Sequence, residues 1–378
     1  MRVAVTIGLV CASTLAHADA ATDTPDVLDE EDEAEEERLD PGASSANKPG
    51  FQTPAVLTGD WGGVRSDLYD AGFSILPSYS LELFGAPQLV NDPTAFSGLF
   101  ALELDADLSK LIDSRLGRFY TEGFAIHGDY QLTERLREVF GVSNTVAPPD
   151  VRLFEAWLEQ PVGPIKVRGG LLSADQEFLI SEQSSALIDA TFGIITMFSV
   201  NIGGPIYPVA TPGLSARYES DALTVRAAIY DGDQINSHGI PTSLGDSVLG
   251  FVEVTALGTF KLGGWSHTTL GSALYGVIDR QLDDHLGTFV RGAVASKGPV
   301  EIYLDAGIRI DPGKARPNDV ISVGIGFADG DPIGAQTLVE GTYQAALTGW
   351  LVLQPDVQVI LRREGLVGVL GARLLVTF

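Results

Sequence analysis

The chain has a single cysteine in 378 residues, Cys11, and it lies within the first twenty. Beyond that point disulfides and thiolate metal sites are excluded. No run of 18 apolar residues follows the first twenty, so a membrane-spanning helix is excluded there too. The five histidines (His17, His127, His238, His267 and His285) are scattered, without the close spacing of a His-based metal site. There is no GxSxG elbow and no Walker-type glycine loop. Bases are scarce, 24 Lys and Arg against 50 Asp and Glu, for a net charge of −26. With no basic cluster to meet phosphates, nucleic acid is not an expected partner. Nothing asks for a cofactor, a metal or an enzymatic activity. Glu155 and Glu159 share a strand face about 13 Å apart, too far to flank one glycosidic bond.

What the sequence does have begins with an address. Residues 1–20, MRVAVTIGLVCASTLAHADA, carry Arg2, an apolar run from Val3 to Ala16 and two A-x-A sites. They read as a cleaved secretory signal. Residues 21–40 hold eleven acids and one base. Such a block repels itself and has little to bury, so 21–50 reads as an acidic, solvated tail. Residues 51–72 read as an amphipathic segment with a short helix: Asp60 as N-cap, Trp61, Val64, Leu68 and Ala71 on one face, and Gly72 as C-cap.

From Phe73 to Phe378 short alternating segments are separated by Gly, Pro, Asp and Asn. In EIYLDAGIRID, Ile302, Leu304, Ala306, Ile308 and Ile310 fall on one face, opposite Tyr303, Asp305 and Arg309. FALELDADLSK opposes Leu102, Leu104, Ala106 and Leu108 to Glu103, Asp105 and Asp107. Periodicity alone fits a soluble sandwich as well as an outer-membrane barrel, in which the apolar face meets lipid and the polar face lines a lumen. Three features favour the barrel. An exported chain without a spanning helix has the closed barrel as its other way across a membrane. The roughly 320 residues after Leu57 accommodate about sixteen strands with their loops. The last segment, GVLGARLLVTF, is itself a strand ending on an aromatic. The expected fold is therefore all-β: a transmembrane outer-membrane antiparallel barrel of about 16 strands over 73–378, with a short N-terminal periplasmic helix.

Several motifs in order resemble the carbohydrate-selective porins of the OprB family of Gram-negative outer membranes. They are LTGDWGGVRSDLYDAGF (57–73), EAWLEQ (155–160), IKVRGGLLSADQEF (165–178), IYPVATPG (206–213), AIYDGD (228–233), FKLGGWSHT (260–268), GTYQAAL (341–347) and LVLQPDVQVIL (351–361). Two stretches depart from the family pattern: Arg362-Arg363-Glu364-Gly365, in place of a Pro-Gly-Gly type turn, and the acidic segment 21–40. The resemblance implies a passive sugar channel, monomeric or homotrimeric, in contact with outer-membrane lipid.

A sugar channel needs weak, multiple contacts from carboxylates, cations and aromatic faces. EAWLEQ puts Glu155, Trp157 and Glu159 on one face, opposite Phe154, Ala156 and Leu158. The next strand offers Lys166 and Arg168 across a short hairpin through Pro161 and Pro164, and the loop beyond adds Asp175 and Glu177. These seven are the expected pore-lining residues, although cross-strand ion pairs that merely stiffen a wall explain each one singly. Lys261, Trp265 and His267 form a second candidate group. Two other functions stay open on sequence alone: a secreted soluble all-β carbohydrate-binding module, and a barrel passing cations or other small solutes.

Overall fold

A computed structural model describes residues 56–89, 91–113, 115–233, 245–313 and 316–378. The expected signal and acidic tail lie outside the described residues. Sixteen strands carry the described chain: β1 (Phe73–Gly85), β2 (Thr94–Asp107), β3 (Arg118–Gly128), β4 (Asp150–Val162), β5 (Ile165–Leu172) and β6 (Thr211–Glu219). They continue as β7 (Leu223–Asp231), β8 (Val248–Ala256), β9 (Phe260–His267), β10 (Gly271–Gln281) and β11 (Leu286–Ala295). The last five are β12 (Ile302–Ile310), β13 (Val320–Asp329), β14 (Gln336–Thr348), β15 (Leu351–Arg362) and β16 (Gly365–Thr377). Each pairs antiparallel with its neighbours in sequence, and β1 pairs with β16, which closes the barrel. Closure removes both free edges, as a sheet in lipid requires.

Alternation sets which side chains face out. On β9 Leu262 is 70% exposed while its neighbour but two, Trp265, is 3% exposed. On β12 Ile302, Leu304 and Ile308 are exposed, while Tyr303 and Asp305 are buried inside. The exterior is an apolar belt and the interior holds most of the charge, the inversion expected of a membrane barrel. The outward polar pair formed by Tyr79 and His127, 2.9 Å apart and stacked, is an exception.

The strand pairing slips in β14 between Ala346 and Thr348, and β4 breaks the alternation. Glu122 on β3 faces Glu155 on β4, but the next residue of β3, Gly123, faces Leu153. Phe154 is thus the extra residue of a β-bulge and turns inward beside Glu155. There it stacks on Phe124 at 4.8 Å and meets Tyr207 edge-on at 6.1 Å. The sequence reading placed Phe154 outside because strict alternation has no allowance for an inserted residue.

Both chain ends of the barrel lie at one mouth, where the β4–β5, β6–β7, β8–β9 and β14–β15 connections are tight turns. The long connections, 129–149 and 173–210, arise at the other mouth. Ahead of β1, a single 3₁₀ turn (Trp61–Gly63) leads into α1 (Val64–Asp70). The helix ends at Gly72, whose φ of +96° suits glycine. The packing differs from the expected apolar face. Trp61 and Val64 are exposed, and the buried residue of the helix is Arg65. Its guanidinium lies 4.2 Å over the Trp61 ring, and Nη2 donates to the Phe378 carbonyl oxygen at 2.9 Å. Asp60 does not cap the helix start; its Oδ1 accepts from the Ser66 N–H and hydroxyl, both at 2.8 Å.

Arg65 should therefore matter more to assembly than Trp61. A hydrogen bond from a charged donor contributes about 1.5–3 kcal/mol. Arg65→Met is expected to lower the temperature at which the barrel loses its compact, fast-migrating form in unheated SDS gels, and Trp61→Ala to lower it less. Equal loss in both variants would contradict this.

Candidate functional site

The interior is not an empty tube. The 173–210 connection, with α2 (Ala190–Gly193) and α3 (Thr196–Asn201), enters the lumen and bonds to the wall on many strands. Its backbone is irregular, so its N–H and C=O groups need partners from the wall. Wall carboxylates accept the N–H groups. Glu155 takes Ser173 at 2.8 Å, Glu253 takes Leu179 at 3.1 Å, and Asp279 takes Glu182 at 2.8 Å and Gln183 at 3.2 Å. Glu340 takes Ile188 at 2.5 Å and Asp189 at 3.0 Å. Wall donors serve the carbonyls: Lys261 to Ile180 at 2.6 Å, Gln354 to Ala186 at 2.6 Å, and Arg291 to Leu179, Thr191 and Gly193 at 2.9–3.3 Å. Arg291 is also paired with Asp305 at 2.6 Å, and neither side chain is exposed. The apolar face of the segment packs on inward aromatics, with Phe178 stacked on Phe251 at 4.7 Å and Phe198 edge-on to Trp265 at 5.2 Å.

The 129–149 connection is fastened on the opposite side. Arg373 on β16 donates to Glu82 on β1 at 2.7 Å and to Asn144 at 2.5 Å, while the Ser143 hydroxyl donates to Glu82. Charged side chains of β2 to β8 form a border on the neighbouring inner wall.

Arg168 is the hub of that border. Its Nη2 meets Glu159 at 2.9 Å, directly across the β4–β5 hairpin, and its Nη1 meets Glu177 at 3.1 Å. Glu177 in turn accepts from Ser215 at 2.8 Å and Tyr230 at 3.1 Å. The Arg168 guanidinium lies 3.8 Å over the Trp157 ring, a desolvated cation–π contact worth about 2 kcal/mol. On its other flank Trp157 stacks against Tyr120 of β3 at 5.1 Å. Arg118, ion-paired with Asp105, is 5.6 Å from the same ring. Gly170 faces Trp157 across the hairpin with φ +147°, and any Cβ there would run into the Trp157 backbone.

The structure brings together Glu159, Arg168 and Glu177, with Lys166 at the hairpin end pairing with Glu219 at 3.6 Å. Glu155, Trp157 and Asp175 sit behind them. Trp157 is 1% exposed, flanked by Tyr120 and Arg168, so its ring offers little to a passing solute. Glu155 is engaged by Ser173 N–H and by Trp157 Nε1 at 3.2 Å. Asp175 bonds the Ser173 hydroxyl and the Tyr207 N–H, and burial holds its carboxyl above the ordinary range despite those donors. Lys261, Trp265 and His267 all face inward, but Lys261 and Trp265 hold the lumenal segment. His267 Nε2 donates to Gly232 O at 2.9 Å.

Sequence reasoning missed Arg217 and Arg226, which continue the charged border onto β6 and β7. The alternation Leu214/Ala216/Tyr218 against Ser215/Arg217/Glu219 carried that signal. It also missed that Glu103, Glu122 and Glu155 stand directly opposite one another across β2, β3 and β4, since that follows only from register.

Comparison with known proteins now decides the family. The family model described as carbohydrate-selective porin, OprB family, matches residues 94–271 and 268–378. The chain belongs to this family. Its fold is similar to that of Pseudomonas putida OprB. The high-pH structure of that protein aligns with a TM-score of 0.76 at 18% identity, covering 87% of this chain and 100% of that one. The low-pH structure gives 0.61 at the same identity and coverage. A triple mutant of Rhodopseudomonas blastica porin aligns at 0.51 with 9% identity, over 81% of this chain and 100% of that one. No curated protein sequence matches. A porin role follows from family and fold, and both imply an outer-membrane location. Porins of this family and fold are non-enzymatic channels.

Within this porin barrel the Arg291–Asp305 pair is the contact whose loss should cost most. Removing one partner leaves a buried, unpaired charge, at about 3–5 kcal/mol. Arg291→Leu is expected to lower thermal stability and, by loosening the 173–210 segment, to raise single-channel conductance and its noise. Unchanged conductance with normal stability would show that the pair does not hold the segment.

Proposed function

We propose that the protein mediates passive, carbohydrate-selective diffusion of small sugars through a lumen bordered by acids and bases. The observation that carries this reading is the Glu159–Arg168–Glu177 hub beside Lys166, Arg217 and Glu219. It sets hydroxyl acceptors and donors side by side on one partly exposed strip of wall. Carboxylates accept from sugar hydroxyls and guanidinium groups donate to them, so a pyranose can exchange hydration for the wall one contact at a time. Individually weak contacts permit release as well as capture. The mouth with the tight turns is the periplasmic one, following the usual polarity of such barrels. On this reading residues 1–20 direct export and are removed, and Glu155, Trp157 and Asp175 act by positioning the hub.

Planar-bilayer recording tests the proposal. Stepwise conductance is expected, with dose-dependent reduction by neutral sugars. In Glu159→Gln one of the two carboxylates on Arg168 is neutralised, so the reversal potential in a KCl gradient should move toward anion preference and sugar block should weaken several-fold. Stepwise conductance that no sugar alters would leave a general porin and remove the carbohydrate selectivity. Recovery of the protein in a detergent-free soluble fraction would count against the channel itself.

A further inference from the structure

Three cations stand in register at the tight-turn end of the lumen. Lys166 on β5 faces Arg217 on β6, and Arg217 faces Arg226 on β7. All three point inward, and their side chains are 48%, 21% and 24% exposed. Directly opposed residues in a sheet have Cβ atoms about 5 Å apart, and like charges in that arrangement destabilise the pair. A wall selected for stability alone would place carboxylates between them.

The carboxylates that are near are mostly engaged elsewhere. Glu159 lies 3.9 Å from Arg217 but is already bonded to Arg168 at 2.9 Å. Glu253 lies 3.5 Å from Arg226 but is fully buried, taking the Leu179 N–H at 3.1 Å and the Tyr275 hydroxyl at 3.0 Å. Glu219 is shared, at 3.6 Å from Lys166 and 3.4 Å from Arg217, and is itself 44% exposed. Three cations therefore depend on one uncommitted, solvent-accessible carboxylate, at separations too long for good charge-assisted hydrogen bonds. Arg217 Nε is buried and makes no hydrogen bond.

We propose that this row is a carboxylate-binding subsite, so that the channel passes sugar acids such as hexuronates in preference to the neutral sugars of the same size. The inference rests on the porin reading above. A uronate carboxylate would take the place of Glu219 between Lys166 and Arg217, with Arg226 as third donor. Its hydroxyls would lie against the adjoining Glu159–Arg168–Glu177 hub. Lys166, Arg168, Arg217 and Arg226 here face Glu159, Glu177, Glu219 and Glu253, so the patch is close to neutral in a chain whose net charge is −26, and an anionic solute meets less repulsion there. The solute leaves readily because Glu219 competes for the same donors.

The test compares block of the ion current by glucuronate, glucose and acetate at equal concentration and ionic strength, in the native protein and in Arg226→Gln and Arg217→Gln/Arg226→Gln. Native channels are expected to be blocked most strongly by glucuronate. In the double variant the glucuronate effect should fall about tenfold, the size expected for losing charged hydrogen bonds, while glucose block, which also loses the Arg217 donor, falls less, so that glucuronate loses its advantage. The single variant should fall between. The glutamine amide keeps a donor for buried Glu253, which loses its 3.5 Å ion pair with Arg226, so folding, read from heat-modifiable gel migration, is expected to survive at lower stability. Glucuronate no better than glucose in the native channel, equal block by acetate, or no loss in folded variants would each overturn the subsite. Absence of any stepwise conductance would instead fail the porin reading, which separates the two.

Discussion

Irregular backbone enclosed by a barrel wall must find a hydrogen-bond partner for each N–H and C=O that it brings inside. Here that demand falls on residues of opposite sign spread around the wall. Carboxylates of β4, β8, β10 and β14 take the N–H groups of the lumenal segment, and Lys261, Arg291 and Gln354 take its carbonyls. The same inward charges that make a lumen wet are thus largely spent on holding the segment that narrows it. Glu155 and Glu159 illustrate the division. They lie four residues apart on one strand, yet the first holds a loop and the second pairs with Arg168 on the next strand.

Much of the barrel was legible in the sequence because membrane strands have a strict binary rule. Period-two alternation in 301–311 and 101–108 placed apolar residues outside and charged ones inside, and the strand count followed from length. The rule failed where local geometry departs from it. Phe154 turned inward at a bulge, and a bulge leaves no mark on hydrophobic period. Arg65, the most polar residue of α1, became its buried anchor because the group it meets, the Phe378 carbonyl, is more than three hundred residues away in sequence. The candidate site was legible in part. Glu159 and Arg168 could be paired from hairpin length alone, and their neighbours could not. Whether Trp157 faces a solute or a neighbouring ring depends on Tyr120, a residue of another strand whose register no local pattern gives.

The two kinds of like-charge row sharpen the contrast between packing and function. Glu103, Glu122 and Glu155 are held together by Tyr120, Trp157 and Ser173, which donate to them. The row of Lys166, Arg217 and Arg226 meets carboxylates instead, Glu219, Glu159 and Glu253, at 3.4–3.9 Å. One row is carboxylates held by neutral donors; the other is cations held loosely by carboxylates.

The ties between the lumenal segment and the wall also constrain how the chain folds. Glu253, Asp279, Glu340 and Gln354 lie 74, about 97, 152 and 168 residues beyond the backbone groups they bind. The segment thus cannot settle until strands far downstream have joined the sheet, and contacts of such high sequence separation are slow to form. Closure of the cylinder and docking of its inner segment are separate events in time, with the narrow channel completed last. An assembling barrel would pass through a wide, unplugged form before its inner segment docks.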